Sequence, residues 1–235
     1  MVNLLEISQI LEQKNKFWIA FVGDSITSTE WVHPNWREIV EYVLKEELTK
    51  VLNGNWKLPS WGIRCFNFGF DGSTTKDILE KVNDIKLVNP DLVIAMIGGN
   101  DPVLNISVED HVDNILRIKN GLDTNFVFST DNKPWNEAAA LKYHPFIQAD
   151  KQMKLDKFIN MFDISDSFPK EKIYTFVSEE NIVENIKAGD LDYWHPNQLG
   201  NAYIAKVMLK KVFSIEFDPE KYWQSTQSGE KYPSY

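Results

Sequence analysis

A serine directly follows a buried apolar run near the N-terminus. Residues 17–23 read FWIAFVG, and the chain continues as Asp24-Ser25. A serine between a strand and the next helical stretch lies where backbone N–H groups are free, a placement that suits a nucleophile. The alternative is that Asp24 or Ser25 only caps the turn.

Two further apolar runs end in candidate hydrogen-bond donors. Residues 63–68 are followed by Gly69 and Gly72, and the N–H of Gly72 can point toward an anion because it stands at a helix start. Residues 92–97 are followed by Gly98, Gly99 and Asn100, whose side-chain amide could enter the same space. Each stretch taken alone is also explained as a simple turn.

An aspartate and a histidine stand three residues apart late in the chain, as Asp192 and His195. With this spacing the carboxylate can accept a hydrogen bond from Nδ1–H and leave Nε2 free as a base. The alternative is a loop histidine without a special partner. Of the other histidines, we interpret His111 and His144 as surface or packing residues and His33 as a residue of the site's rim.

The elements that must position these residues alternate between strand and helix, which indicates an α/β fold with a parallel sheet covered on both faces. The predicted strands are 17–23, 63–68, 92–97, 125–129 and 172–177. The predicted helices are 1–16, 35–52, 73–85, 107–119, 135–165 (broken or bent at Pro145) and 197–212. Ligands of such sheets bind at the carboxyl ends of the strands, where the candidate residues fall.

Composition limits the function classes. The 235 residues carry a formal charge of −9, and 43% are hydrophobic, which is typical of one globular domain over 1–235 with a polar, aromatic tail at 218–235. Cys65 is the only cysteine, which excludes an intramolecular disulfide and a multi-cysteine zinc site. The acidic balance disfavours a nucleic-acid partner, and no apolar run approaches the roughly 20 residues that span a bilayer.

The N-terminus lacks the pattern of a secretory signal, because residues 1–16 contain acidic side chains and no continuous apolar stretch. We therefore expect a cytoplasmic protein, although a secreted chain trimmed of its signal would read the same way. The aromatic residues of the tail leave a homo-oligomer open.

Taken together, the four stretches resemble the SGNH/GDSL hydrolase family of esterases and lipases. The resemblance rests on Gly23-Asp24-Ser25, Asn67-x-Gly69-x-x-Gly72, Gly99-Asn100-Asp101 and Asp192-x-x-His195, in this order along almost the whole chain. It implies a three-layer, flavodoxin-like α/β/α sandwich around a parallel sheet of about five strands. It also implies Ser25 as nucleophile, Asp192 and His195 as its acid and base, an oxyanion hole of Ser25, Gly72 and Asn100, and no metal or organic cofactor.

One stretch departs from the family pattern. Many relatives carry a glycine soon after the stretch that reads GDSIT here, whereas this chain continues as Ser28-Thr29-Glu30-Trp31. The departure leaves the triad intact but changes the loop beside the nucleophile, so substrate analogies weaken.

Asp24, Trp31 and Trp194 are predicted to contact the substrate, a small-molecule ester. Aromatic rings stack on sugars, which favours removal of short acyl groups such as acetyl from a carbohydrate. The same rings would suit an acyl chain, so a lysophospholipase or acyl-thioester hydrolase on the same triad is the alternative. Trp36 and Trp61 are expected in the core.

Two other classes compete with an esterase. A metal-dependent phosphoesterase would use Asp24, Asn100, Asp192 and His195 as ligands, but it would leave Ser25 without a role. A catalytically silent binding module on the same fold would not need to keep a complete triad. We favour the serine esterase.

Overall fold

A five-stranded parallel sheet forms the centre of the computed structural model, which describes residues 3–181 and 186–235. The strands lie in the order β2-β1-β3-β4-β5. Their bounds are Phe17–Gly23 (β1), Ile63–Gly69 (β2), Leu92–Met96 (β3), Asn125–Ser129 (β4) and Phe158–Ile159 (β5). All neighbouring pairs are parallel, so every strand ends at the same edge of the sheet.

Helices connect the strands and cover both faces of the sheet. They are Leu4–Lys14 (α1), Trp36–Val51 (α2), Lys57–Gly62 (α3), Thr75–Glu80 (α4), Val82–Leu87 (α5), Val108–Leu122 (α6), Glu137–Gln152 (α7), Met161–Ile164 (α8), Lys170–Ile173 (α9), Gln198–Met208 (α10) and Pro219–Gln227 (α11). A π-helical turn, Leu209–Phe213, extends α10. Side-chain caps set several starts, such as Asn35 at α2 and Asn197 at α10.

The sheet separates two hydrophobic cores, one on each face, because successive residues of a strand point to opposite faces. On β1, Ile19 and Phe21 face the core shared with α1, α2 and α10, whereas Ala20 and Val22 face the core shared with α4, α5 and α6. Strand β3 alternates in the same way and is buried along its whole length. The predicted three-layer sandwich with five parallel strands is therefore confirmed.

The fifth strand and two predicted helices differ from the sequence expectation. The expected strand at 172–177 is wrong: this segment ends α9 and then forms a single antiparallel bridge, Val177 to Leu191. The fifth strand instead lies inside the predicted helix 135–165, where two paired residues leave no periodic signal. Helix α7 continues through Pro145, and the predicted helix 73–85 is divided at Lys81.

The C-terminal tail is ordered on the α2/α10 side of the sheet. Asp218 caps α11, whose Tyr222 is buried, and the Tyr42 hydroxyl donates a hydrogen bond to the Pro233 carbonyl. Trp36 is buried as expected, but the expectation for Trp61 is wrong because 69% of its surface is exposed. None of the helices in residues 3–181 and 186–235 is long and apolar enough to cross a membrane.

Candidate active site

The turn after β1 presents Ser25 at the carboxyl edge of the sheet. The N–H groups of Thr27 and Ser28 donate to the Asp24 carbonyl, and the Ile26 N–H donates to Asp24 Oδ1 at 3.0 Å. A Cβ on Gly23 would lie 2.1 Å from Thr27 Oγ1, so only glycine permits this close approach. The turn thus holds Ser25 in one position, 9% exposed.

Ser25, His195 and Asp192 form a continuous hydrogen-bonded chain. His195 Nε2 lies 2.9 Å from Ser25 Oγ, and His195 Nδ1 lies 2.6 Å from Asp192 Oδ2. The other carboxylate oxygen, Asp192 Oδ1, accepts from the N–H groups of Trp194 and His195. Burial would raise the pKa of Asp192, but the hydrogen bond and charge of His195 outweigh it, so the pKa lies below its ordinary value.

The three predicted oxyanion donors line the cavity into which Ser25 opens. Gly72 has φ +69°, a conformation that favours glycine, and a Cβ there would meet open space. The Asn100 amide donates to the Ser73 carbonyl at 3.0 Å and lies 3.4 Å from Asp24 Oδ2. Within residues 3–181 and 186–235, the N–H groups of Ser25 and Gly72 donate to no acceptor. Both are therefore free to bind a ligand oxygen.

A buried network behind these donors joins the loop after β3 to the start of α4. Asp101 Oδ1 accepts from the Thr75 N–H at 2.9 Å, and its Oδ2 accepts from Thr75 Oγ1 at 2.6 Å. His111 bridges two carboxylates, with Nδ1 2.8 Å from Asp101 and Nε2 2.9 Å from Asp150. Burial would lower the pKa of His111, but the two hydrogen-bonded carboxylates raise it to about 9.

His111 is therefore an imidazolium with only 2% of its surface exposed. The part of the sequence expectation that placed it on the surface is wrong, because the fold brings together groups from three separate elements. His144 is exposed, as expected. His33 is also exposed and bonds to Glu38, and it is not among the described residues that line the cavity.

The cavity in front of Ser25 has a volume of about 320 Å³ and an acidic lining. Asp24, Asp71, Asp131 and Glu180 line it, and no lysine or arginine does so among the described residues. Sequence reasoning missed Asp131, which follows β4 without any motif. Burial raises the pKa of Asp24 to about 6, and burial together with the Asp24 charge raises the pKa of Asp131 well above its ordinary value.

The three residues predicted to contact substrate all line this cavity. Trp31 stacks on the imidazole of His195, with ring centroids 3.9 Å apart and planes 3° apart, and its indole N–H donates to Asp71 at 2.6 Å. Trp194 packs against Tyr143, with ring centroids 5.4 Å apart. The loop that lacks the family's glycine thus covers one face of the candidate base.

A comparison with known protein families matches residues 21–203 to the GDSL-like Lipase/Acylhydrolase family. The chain belongs to this family, and the protein is a serine ester hydrolase of the GDSL/SGNH class. A search of curated proteins finds no match to the sequence.

Solved structures with the same fold include two esterases and TesA. A catalytic variant of Axe2, an acetylxylan esterase from Geobacillus stearothermophilus, shares 16% identity with a TM-score of 0.60, over 86% of this chain and 97% of that one. A family 3 carbohydrate esterase from Clostridium thermocellum shares 20% identity with a TM-score of 0.56, over 83% and 94% of the two chains. TesA shares 13% identity with a TM-score of 0.60, over 83% and 97%.

The histidine of the site is engaged through both ring nitrogens. His195 Nδ1 bonds to Asp192 and Nε2 bonds to Ser25, so neither is free to ligate a metal in this arrangement. In the parts of the chain that the structure describes, no group of three or more histidine, cysteine, aspartate or glutamate side chains could hold a metal ion. The geometry therefore gives the alternative of a metal-dependent phosphoesterase no support.

Proposed function

We propose that the protein hydrolyses carboxylic esters through an acyl-enzyme on Ser25, and that its substrate is a small alcohol, such as a sugar, carrying a short acyl group. The observation that carries this proposal is the hydrogen-bonded chain of Ser25, His195 and Asp192, of which Ser25 and His195 line the cavity. Its two distances, 2.9 and 2.6 Å, fall within the range expected of a nucleophile, its general base and the group that orients the base.

Ser25 Oγ attacks the ester carbonyl while His195 Nε2 takes its proton. Asp192 holds the neutral ring in the tautomer that leaves Nε2 free, and it stabilises the imidazolium that forms. His195 then gives the proton to the leaving alcohol as the bond between the acyl carbon and the alcohol oxygen breaks. Water then attacks the acyl carbon while His195 removes one of its protons, and His195 returns that proton to Ser25 Oγ as the acyl–oxygen bond breaks and the free acid leaves.

The tetrahedral intermediate carries its negative charge on the former carbonyl oxygen. The N–H groups of Ser25 and Gly72 and the side-chain amide of Asn100 are the donors we assign to it. Such preorganised donors contribute more in a water-poor site than in bulk solvent, and each is worth about 10²–10³ in kcat.

The size of the cavity supports a short acyl group. A volume of about 320 Å³ lies at the low end of small-molecule sites, and the cavity must hold both the acyl and the alcohol portions of the ester. The fold shared with an acetylxylan esterase and a carbohydrate esterase is consistent with an acylated sugar. Trp31 and Trp194 would offer aromatic surface to such a substrate.

The test is hydrolysis of p-nitrophenyl acetate and p-nitrophenyl octanoate, with EDTA present, by the wild-type protein and by Ser25→Ala. We expect turnover that favours acetate and is lost in Ser25→Ala. A fluorophosphonate probe should label the wild type at Ser25. Ser167 is exposed and is not among the described residues that line the cavity, so Ser167→Ala should leave labelling and rate unchanged.

A preference for octanoate would instead support the lipid or thioester alternative on the same triad. Turnover that persists in Ser25→Ala would overturn the mechanism. If the folded wild-type protein is not labelled by the probe, the result would favour a catalytically silent binding module.

A further inference from the structure

Three polar groups on the wall of the cavity lack hydrogen-bond partners. Among residues 3–181 and 186–235, neither carboxylate oxygen of Asp131, nor Asn132 Oδ1, nor the indole Nε1 of Trp194 has a partner, although each atom is buried. Asp131 and Asn132 are 8% and 6% exposed, and all three residues line the cavity that contains Ser25. Buried polar atoms in native proteins are nearly always paired, so this cluster indicates a ligand.

Asp131 is the most costly member of the cluster to leave unpaired. A Cβ built on Gly99 would lie 2.7 Å from Asp131 Oδ2 and 3.1 Å from Asp24 Oδ2. The two buried carboxyl groups therefore share the small space beside Gly99. The Gly99 N–H is near enough to favour the charged form of Asp131 but does not reach hydrogen-bond geometry. No mechanistic step that we assign to the triad uses Asp131.

The other polar atoms of these side chains are already engaged. The Asn132 amide nitrogen donates to the Tyr174 hydroxyl at 2.8 Å, which orients the remaining Asn132 oxygen. Trp194 is held by its packing on Tyr143, whose hydroxyl donates to the Gly99 carbonyl at 2.8 Å. The free acceptors and the free donor are therefore fixed in place by neighbours on the cavity wall.

The chemistry of the free atoms selects among ligands. An anionic group would meet four acidic side chains and no lysine or arginine among the described lining residues. An ammonium group would satisfy the Asp131 and Asn132 oxygens but would offer no acceptor to the Trp194 N–H. A hydroxyl both donates and accepts, so neighbouring hydroxyl groups on one uncharged molecule complement the whole set.

We infer that Asp131, Asn132 and Trp194 form a subsite that binds free hydroxyl groups on the alcohol portion of the ester, with Asp131 as the main determinant of specificity. This inference rests on the proposed function, since it deepens the account of the same cavity. It implies that the enzyme prefers partially acylated polyols to fully acylated ones, because an ester oxygen cannot donate a hydrogen bond to Asp131.

Steady-state kinetics with two acetate esters test the subsite. One is a mono-O-acetylated methyl xyloside with free hydroxyl groups, and the other is p-nitrophenyl acetate, whose alcohol has none. Asp131→Asn should lower kcat/KM for the xyloside about 10- to 100-fold, mainly through KM, because an amide nitrogen that cannot accept from a substrate hydroxyl replaces one buried carboxyl oxygen. Hydrolysis of p-nitrophenyl acetate should fall by a smaller factor, because its alcohol has no aliphatic hydroxyl group to bind, so the ratio of the two kcat/KM values should drop about 10-fold or more.

Two further variants sharpen the test. Trp194→Phe keeps an aromatic ring but removes the indole N–H, so it should lower the ratio of kcat/KM for the xyloside to kcat/KM for p-nitrophenyl acetate. Asp113→Asn, an exposed residue on α6 that pairs with Arg117, is the matched control and should change neither rate. An equal loss on both esters would make Asp131 a positioning residue and overturn the inference, as would unchanged rates on both.

A binding measurement that does not depend on catalysis tests the subsite separately from the proposed function. Calorimetry on Ser25→Ala with methyl xyloside should detect binding that the added Asp131→Asn change weakens about 10-fold or more. If the wild type shows no Ser25-dependent hydrolysis, the proposed function fails, and the calorimetry still decides the subsite. Binding that is insensitive to Asp131→Asn overturns the subsite whatever the hydrolysis shows.

Discussion

Replacing His111 by glutamine should destabilise the protein by about 3–5 kcal/mol, the usual cost of removing one partner of a buried ion pair. His111 is 2% exposed and lies between Asp101 (0% exposed) and Asp150 (2% exposed), so the change leaves two buried carboxyl groups without their cation. For a chain of this length the corresponding fall in Tm is roughly 6–20 °C. Urea denaturation and thermal unfolding measure it. His144→Gln, the same change at an exposed site on α7, is the control and should stay within about 0.5 kcal/mol.

The same variant should change how stability depends on pH. The pKa of His111 is 6.5 in an unperturbed chain and about 9 in the fold, so its stabilising effect is complete below pH 6.5 and lost as pH rises through 9. The difference between these two pKa values corresponds to about 3 kcal/mol of unfolding free energy. The difference in unfolding free energy between wild type and His111→Gln should therefore shrink by about this amount from pH 6 to pH 10. A difference below about 1 kcal/mol at pH 6, or one that does not vary with pH, would refute the reasoning.

Three other substitutions should act as follows. Asn100→Ala should lower kcat for p-nitrophenyl acetate by about 10²–10³ with little change in KM, since an oxyanion donor acts in the transition state; a change mainly in KM would contradict this. Asp192→Asn should lower kcat by about 10⁴ because His195 then adopts the wrong tautomer, and a fall below 10-fold would contradict the assigned role. Gly98→Ala should cost about 1–3 kcal/mol more in urea unfolding than Gly54→Ala. Both glycines have positive φ, but only at Gly98 would a Cβ lie 2.6 Å from a ring atom, His111 Cε1. Equal losses of unfolding free energy in the two variants would contradict this steric argument.

The residues that we propose to act on the ester could be brought together from the sequence because each is tied to a local feature of the chain. Ser25, Gly72 and Asn100 each follow a strand that the sequence marks, either by a buried apolar run or by a glycine at its end. Because the strands are parallel, their carboxyl ends meet at one edge of the sheet. Asp192 and His195 need only the geometry of a single turn to meet. Local sequence therefore carries enough information for the arrangement of the triad and its neighbours.

The supporting residues could not be predicted because their partners are distant in sequence. His111 and Asp150 are 39 positions apart and meet only when α6 and α7 pack together. Asp131 stands alone after β4, and nothing in its surroundings indicates that Asp24 and Gly99 will enclose it. Strand β5 has only two residues, which is too short for a periodic pattern, so the sequence predicts a helix across it.

The stack of Trp31 on His195 makes the protonation state of the base optically visible. An imidazolium in van der Waals contact with an indole quenches its fluorescence, whereas the neutral ring does so far less. The protein has eight tryptophans, so the signal is the difference between the fluorescence of the wild type and that of Trp31→Phe. Stopped-flow recording of that difference during a single turnover would test whether His195 takes a proton from Ser25 and gives it to the leaving alcohol, as we propose. Trp31, in the loop that lacks the family's glycine, would thus report on the proposed catalytic cycle.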